Sequence, residues 1–144
     1  MRILRKCLDR MIELARRDAP NETCGLMTGP PGLVRVVHPI KNVSPEPRIR
    51  YEFHSNQHVY ILGCLEREGI PVLGVYHSHP ESQPFPSPTD VARAVLTDGT
   101  PLWPDYRYVI LSLETPERPQ ARAFRILQGG EIEEEELKIE DNAP

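Results

Sequence analysis

The sequence is poor in cysteine, has no long apolar run and carries no excess of basic residues. Its three cysteines, Cys7, Cys24 and Cys64, are odd in number and widely spaced, so they predict no disulfide framework. No stretch approaches the length needed to cross a membrane, and the charged start Met1–Cys7 is unlike a secretory signal. With 17 basic against 21 acidic residues, the sequence predicts no basic face for nucleic acid. We therefore expect a cytoplasmic protein with neither nucleic acid nor membrane as a partner.

The length of 144 residues suits one domain and is too short for two ordinary ones. We expect a single domain over residues 1–144 with an acidic tail over about 131–144. The 16 prolines fall mostly in predicted loops, where they would stiffen the connections. Nothing in the sequence fixes the oligomeric state, so a homo-oligomer is left open.

Hydrophobic periodicity predicts a mixture of helices and strands. Apolar residues at three- and four-residue steps predict helices over 2–18, 56–68 (capped by Ser55) and 88–97. Alternating or β-branched runs predict strands over 23–28, 33–40, 49–53, 72–79, 106–113, 121–127 and 131–140. In the last of these we expect the run of glutamates 133–136 to be a solvated face or a frayed tail. This order predicts an α+β (mixed α/β) fold with a central mixed sheet and about three helices packed on it.

Two histidines end the strand over 72–79. His77 and His79 are two residues apart, so the period of an extended chain places both imidazoles on the same face. Two imidazoles on one face form a ready chelate for a metal such as Zn²⁺. Chance could also produce such a pair, since a histidine on a strand is more often a surface or hydrogen-bonded residue.

A proline-rich loop after the histidines leads to a helix start with a carboxylate. Ser87 is a good N-cap, Pro88 suits the first helical position, and Asp90 falls in the first turn. This turn would fix Asp90 while the loop brings it back toward His77 and His79. Two histidines and one carboxylate leave a fourth tetrahedral position open, as in catalytic zinc sites.

The spacing His77-x-His79, Ser87 and Asp90 resembles the signature of the JAMM (MPN-plus) metalloprotease family. The family pattern also includes an upstream glutamate, and the segment from Asn21 to Gly29 is similar to the one that supplies it, with Glu22 in that position. The looser similarity runs from about residue 5 to residue 127. The resemblance implies a JAMM/MPN fold, deaminase-like in architecture.

The resemblance also implies roles for these residues. His77, His79 and Asp90 would bind one Zn²⁺, Glu22 would act as general base and acid, and Ser87 would donate a hydrogen bond to the developing oxyanion. The implied reaction is hydrolysis of an amide or isopeptide bond. The sequence lacks His-Glu-x-x-His, which excludes a helix-based zincin. It also lacks the Pro-Cys-x-x-Cys motif of nucleoside deaminases, which argues against that activity.

The short segments over 44–50 and 91–106 leave little room for the insertions with which the family's eukaryotic deubiquitinases hold ubiquitin. The sequence is therefore similar to the compact prokaryotic branch. That likeness implies a ubiquitin-like sulfur-carrier protein with a C-terminal Gly-Gly as the partner. Cleavage after the Gly-Gly would release cysteine, a peptide or a conjugated protein.

Two other functions remain open. One is a metal-binding scaffold of the same fold without catalysis, and the other is a cell-wall or phage-type peptidase. The absence of an export signal or a wall-binding domain counts against the second.

Four residues near these motifs have competing interpretations. Cys24 could be a fourth ligand or a redox-sensitive neighbour, but a small buried residue is the expected use. His54 and His58 are four apart and could chelate, yet no third ligand is evident, so we expect surface histidines. Trp103 could shape a substrate groove, although core packing is the commoner use of tryptophan.

Overall fold

Three helices and nine strands make up the part of the chain that the computed structural model describes, residues 1–141. In chain order they are β1 (Arg2–Leu4), α1 (Arg5–Asp18), β2 (Cys24–Thr28), β3 (Leu33–Val34), β4 (Val36–Pro39), α2 (Ser55–Glu68), β5 (Val72–His79), α3 (Pro88–Ala94), β6 (Arg107–Ser112), β7 (Gln120–Ile126), β8 (Ile132–Glu135) and β9 (Lys138–Glu140). A short 3₁₀ turn at Gln128–Gly130 joins β7 to β8.

A six-stranded mixed sheet carries the candidate site, with the strand order β4-β2-β5-β6-β7-β8. Its centre is β5, which pairs antiparallel with β2 and parallel with β6. The connection from β5 to β6 runs through α3, as a parallel pair requires a crossover. The predicted α+β fold with a central mixed sheet and three helices is confirmed.

The two faces of this sheet bury different helices because successive residues of β5 point to opposite sides. Tyr76 packs with Met11 and Leu14 of α1 in one core cluster. Val75 belongs to the opposite cluster, which Ala94 of α3 joins and against which Ile61 of α2 packs. Along β5, residues 75, 77 and 79 share a face, so the histidines lie on the side of α2 and α3.

A second sheet of three short strands, in the order β3-β1-β9, is parallel throughout. The prediction that the first helix begins at residue 2 is wrong here, because Arg2–Leu4 pairs on both sides as a strand. The predicted strand over 33–40 is also divided. Its first part pairs with β1, whereas β4 pairs with β2 in the larger sheet. These pairings join distant segments, so local periodicity could not reveal them.

Three other boundaries differ from the prediction. No strand forms over 49–53 in the described chain, where Phe53 makes only an isolated bridge to Asn42. His54, and not Ser55, caps α2, because its Nδ1 accepts a hydrogen bond from the backbone N–H of Gln57 at 3.2 Å. The third helix ends at Ala94, three residues early, as the following residue bridges to Pro101.

The segment predicted as one edge strand over 131–140 forms two strands in different sheets. β8 closes the edge of the six-stranded sheet, and β9 pairs with β1. The prediction of a solvated face agrees with the structure, since Glu133, Glu134 and Glu136 are exposed. The segment is not frayed, because Glu134 pairs with Arg122 at 2.5 Å and Glu135 with Arg107 at 3.0 Å. The expected tail beyond residue 141 lies outside the described residues.

Within residues 1–141, none of the helices combines the length and apolar character that spanning a bilayer demands.

Candidate metal and catalytic site

The end of β5 presents two buried imidazoles on one face. His77 is 1% exposed and His79 5% exposed. Their Nε2 atoms lie 3.1 Å apart, so both rings direct the same nitrogen to a common point. Adjacent β2 and β6 hold this end of β5 in register, since His77 pairs with Cys24 on one side and Ile110 on the other.

Asp90 reaches the same point from the first turn of α3. The Ser87 Oγ accepts a hydrogen bond from the Asp90 backbone N–H at 3.1 Å, and the Ser87 N–H donates to Asp90 Oδ2 at 2.9 Å, which forms a capping box. The same Oδ2 lies 3.1 Å from His77 Nε2 and 3.2 Å from His79 Nε2. The cap thus aims the carboxylate at the histidines.

The three donor atoms suit a zinc ion. The mutual distances of His77 Nε2, His79 Nε2 and Asp90 Oδ2 are 3.1 to 3.2 Å. Ligands about 2.0 Å from a tetrahedral zinc would be separated by about 3.3 Å. Although burial opposes its charge, the neighbouring histidines and the Ser87 N–H hold the pKa of Asp90 well below its usual range. The site therefore offers two imidazoles and an ionised carboxylate.

Glu22 lies beside this triangle on the segment between α1 and β2. Its backbone N–H donates to the Pro47 carbonyl at 2.7 Å, and its carbonyl accepts from Asn42 Nδ2 at 3.1 Å. A carboxylate oxygen of Glu22 and one nitrogen of each histidine lie within 4.8 Å of one another. Asp90 Oδ2 lies within 3.2 Å of both imidazole nitrogens, so either carboxylate could form a group of metal ligands with the two histidines.

Glu22 is 4% exposed, and its carboxyl Oε1 is buried with no hydrogen-bond partner within residues 1–141. Burial, partly offset by the two histidines, raises its pKa to about 7. A buried acceptor without a hydrogen-bond partner lowers the stability of the fold unless a ligand or substrate group donates to it. The carboxyl can therefore gain or lose a proton near neutral pH.

The two histidines are supported in different ways. His79 Nδ1 lies 2.8 Å from the Gln83 carbonyl, which fixes the ring with Nε2 free for a ligand. His77 Nδ1 is buried and has no such partner among the described residues. Instead the Tyr51 ring packs against His77, with 4.6 Å between centroids and 30° between planes. The aromatic contact thus takes the orienting place that a hydrogen bond has at His79.

Replacing Tyr51 tests this support. We expect Tyr51→Ala to weaken zinc binding by about 10-fold, because the loss of an orienting group around a ligand typically costs that much. Tyr51→Phe keeps the ring and should bind zinc as the wild type does. Competition with a chromophoric chelator measures both affinities. An equal loss in the two variants would assign the effect to the hydroxyl and contradict a packing role.

The other predicted candidates lie apart from this triangle. Cys24 is buried, as expected, and its Sγ donates to the Ile40 carbonyl at 3.3 Å. His54 caps α2, and the ring of His58 packs edge-on against Phe53 at 4.9 Å. Within residues 1–141, the possible metal ligands that gather around His77 and His79 are Glu22 and Asp90, and neither Cys24, His54 nor His58 is among them.

An aromatic cleft lies beside Asp90, and the sequence suggested only Trp103 as part of it. Its walls include Tyr51, Phe53, Trp103, Tyr106 and Tyr108. Of the two interpretations of Trp103, core packing is wrong, because the residue is 42% exposed, whereas a position in a groove agrees with the structure, in which Trp103 lines the cleft and stacks on Tyr106 at 5.2 Å. One signal could have revealed the cleft: Tyr51 and Phe53 are aromatic residues next to an otherwise polar, proline-containing loop.

Comparison with known sequences gives consistent matches over most of the chain. A family model described as prokaryotic homologs of the JAB domain matches residues 4–127. A desampylase from Haloferax volcanii is 43% identical over 102 residues, which cover 69% of this chain and 68% of the relative. A CysO-cysteine peptidase from Mycobacterium bovis is 34% identical over 130 residues, 88% of this chain and 83% of the relative.

Solved structures share the fold. A protein from Desulfitobacterium hafniense superposes with a TM-score of 0.83 at 29% identity, over 99% of this chain and 94% of that one. A structure described as JAMM, a metalloprotease-like zinc site in the proteasome and signalosome, gives a TM-score of 0.56 at 19% identity, over 96% of each chain. At that identity the second likeness concerns the fold alone.

Proposed function

Because the chain belongs to the family of prokaryotic JAB domain homologues, which is part of the JAMM family, we propose that it is a zinc-dependent isopeptidase. Its proposed substrates are small ubiquitin-like or sulfur-carrier proteins, cut at the amide bond after a C-terminal Gly-Gly. The supporting observation is the convergence of His77 Nε2, His79 Nε2 and Asp90 Oδ2 within 3.2 Å of one another, with the Glu22 carboxyl beside them.

The substrate class follows from the relatives. Desampylases, a CysO-cysteine peptidase and a probable TtuB-protein conjugate cleaving protease are among them. The proposed leaving group is cysteine, a peptide or a conjugated protein. The proposed setting is the cytoplasm, where free thiols such as those of Cys7 and Cys24 stay reduced.

His77, His79 and Asp90 are the proposed zinc ligands. When bound in such a site, zinc would lower the pKa of its bound water toward neutrality and would polarise a carbonyl group. The protein's part is to hold two imidazoles and one carboxylate in a fixed triangle. β5 positions the imidazoles, and the Ser87 capping box positions the carboxylate.

Glu22 is the proposed general base and acid. Its carboxylate would take a proton from the attacking water and donate it to the leaving amine. A pKa raised to about 7 by burial suits both tasks, because the protonated and the ionised carboxyl then have similar free energies at neutral pH. The Oε1 that lacks a partner within the described residues is the proposed proton acceptor.

Ser87 is the proposed oxyanion donor. Its Oγ already accepts the hydrogen bond of the Asp90 N–H, which fixes the hydroxyl beside the metal ligands. The hydroxyl proton is then available to a substrate oxygen. One residue would thus both cap α3 and contact the developing charge.

The test is cleavage of a defined fusion with and without zinc. A sulfur-carrier protein ending in Gly-Gly is joined to cysteine, and a matched fusion ends in Gly-Ala. We expect the zinc-loaded protein to hold about one zinc per chain and to release cysteine from the Gly-Gly fusion only. Removal of zinc with a chelator should abolish cleavage, and adding zinc back should restore it.

Three results would contradict the proposal. Zinc binding without hydrolysis of any carrier fusion would favour the non-catalytic scaffold. Cleavage of wall peptides in preference to carrier fusions would favour the peptidase of the cell-wall or phage type. Failure to bind zinc after repletion would remove the basis of the catalytic assignment altogether.

A further inference from the structure

An aromatic cleft lies directly beside the proposed metal ligands and has no role in the chemistry described above. It lies on the sheet between α2 and α3 and measures about 160 Å³. A cavity of about 150 Å³ with apolar walls holds one benzene molecule, so this cleft has room for one large apolar side chain. Its floor is formed by Leu26 and Val75, and its walls are largely aromatic.

The walls of the cleft are firmly placed. Trp103 stacks nearly parallel on Tyr106, with 10° between the ring planes. The Arg93 guanidinium donates to the Tyr51 carbonyl at 2.5 Å and so ties α3 to the opposite wall. The exposed part of Trp103 is apolar area that an occupant of the cleft would remove from water.

The cleft is continuous with the proposed active site through two residues. Asp90 lines the cleft and also contacts both histidines. Tyr51 lines it with a ring whose centroid is 4.6 Å from that of His77. A substrate chain that reaches the histidines therefore passes the mouth of the cleft within one or two residues, since an extended chain advances about 3.3 Å per residue.

The direction of the substrate follows from the position of Glu22. Glu22 lines a separate, polar depression with Asn21, Lys41 and Gln57. The leaving amine takes its proton from Glu22 in the proposed mechanism, so the leaving group belongs on that side. The acyl part of the substrate then extends the other way, past Asp90 toward the cleft.

We propose that this cleft binds one apolar side chain of the carrier's tail, of leucine to phenylalanine size, at the position directly before the two glycines. The inference rests on the proposed function and adds a specificity pocket to it. Two glycines span about 7 Å of extended chain, which takes the preceding residue from the histidines to the cleft beyond the Tyr51 ring. The enzyme would thus recognise three residues of the tail.

Polar groups at the cleft suggest a competing occupant that the experiment must exclude. Glu52, His58 and Arg93 also line it. An acidic tail residue could pair with Arg93, although that guanidinium already donates to the Tyr51 carbonyl. An aspartate in the tail is therefore included among the probes.

Trp103 is the only tryptophan in the sequence, so its fluorescence reports occupation of the cleft directly. The probe is a tryptophan-free sulfur-carrier protein ending in X-Gly-Gly-Cys, with X as Ala, Leu, Phe or Asp, titrated into zinc-loaded Glu22→Gln. We expect Leu and Phe tails to shift the emission to shorter wavelength and to bind about 10-fold more tightly than Ala. Equal binding of Ala and Leu tails, or preference for Asp, would overturn the inference.

Cleavage of the same four fusions by enzymes that keep Glu22 gives the matched kinetic test. We expect kcat/KM for Leu or Phe tails to exceed that for Ala by about 10-fold, and Trp103→Ala to reduce this ratio to about 2-fold. Trp103→Phe should restore most of it. Tyr60→Ala removes another exposed aromatic ring, one that does not line the cleft, and should leave the ratio unchanged.

The two proposals fail in different ways. If the wild type cuts none of the four tails, the proposed function itself is wrong. If it cuts all four at similar rates, hydrolysis after Gly-Gly stands and only the pocket assignment falls. A ratio that survives Trp103→Ala would likewise refute the pocket.

Discussion

Glu22→Gln should lower kcat for Gly-Gly fusions by about 10³-fold while the protein still binds zinc. Glutamine has nearly the same volume but cannot take a proton from water. The wild-type carboxyl is buried, with a pKa raised to about 7 and an Oε1 that has no partner within residues 1–141. Because the change removes a buried ionisable group, we expect no loss of folding stability.

The measurements are single-turnover cleavage, bound zinc by elemental analysis and thermal unfolding. Glu68→Gln is a matched control, since Glu68 is exposed at the end of α2. It should cleave at the wild-type rate. If Glu22→Gln lost its zinc, Glu22 would be a ligand, and if it cleaved normally, another group would be the base.

Asp90→Asn should lower zinc affinity by about 100-fold or more and reduce cleavage to the level of the zinc-free enzyme. The carboxylate lies 3.1 and 3.2 Å from the two imidazoles and is the one anionic member of the proposed ligand set. An amide oxygen is a weaker zinc ligand than a carboxylate oxygen. The substitution also removes the negative charge that complements the cation.

The substitution separates charge from helix capping. Asparagine can still accept the hydrogen bond of the Ser87 N–H, so Asp90→Asn should keep the start of α3. Asp90→Ala removes that acceptor and should cost about 1 kcal/mol of stability in addition. Asp9→Asn, at an exposed position of α1, is the control. Zinc titration and urea unfolding distinguish the three, and normal zinc binding by Asp90→Asn would refute the ligand assignment.

The sequence predicted the parts of the site that depend on local geometry. The period of a strand places His77 and His79 on one face, and the Ser87 cap fixes Asp90 in the first turn of a helix. Both features are properties of a few adjacent residues. Glu22 has no such local signature, and only its resemblance to a family segment brought it into the candidate set.

The features that the sequence did not predict depend on partners far away in the chain. Arg2–Leu4 has the composition of a helix start, yet it becomes a strand because β3 and β9 pair with it. The residues 49–53 alternate like a strand, but no described strand lies beside them and their aromatic rings line the cleft instead. Tertiary pairing overrides local preference in both cases.

The position of β1 between β3 and β9 sets an order of assembly during translation. The ribosome extrudes Arg2–Leu4 and Leu33–Val34 early, whereas Lys138–Glu140 emerges at the far end of the described chain. One edge of β1 therefore has unpaired backbone groups until β9 has been synthesised, and such an edge is a template for pairing with other nascent chains. The six-stranded sheet, whose last strand ends at Glu135, can pair before that edge is covered. A ribosome that stalls just before residue 138 would thus leave a chain that contains every strand of the six-stranded sheet but has one edge of β1 uncovered.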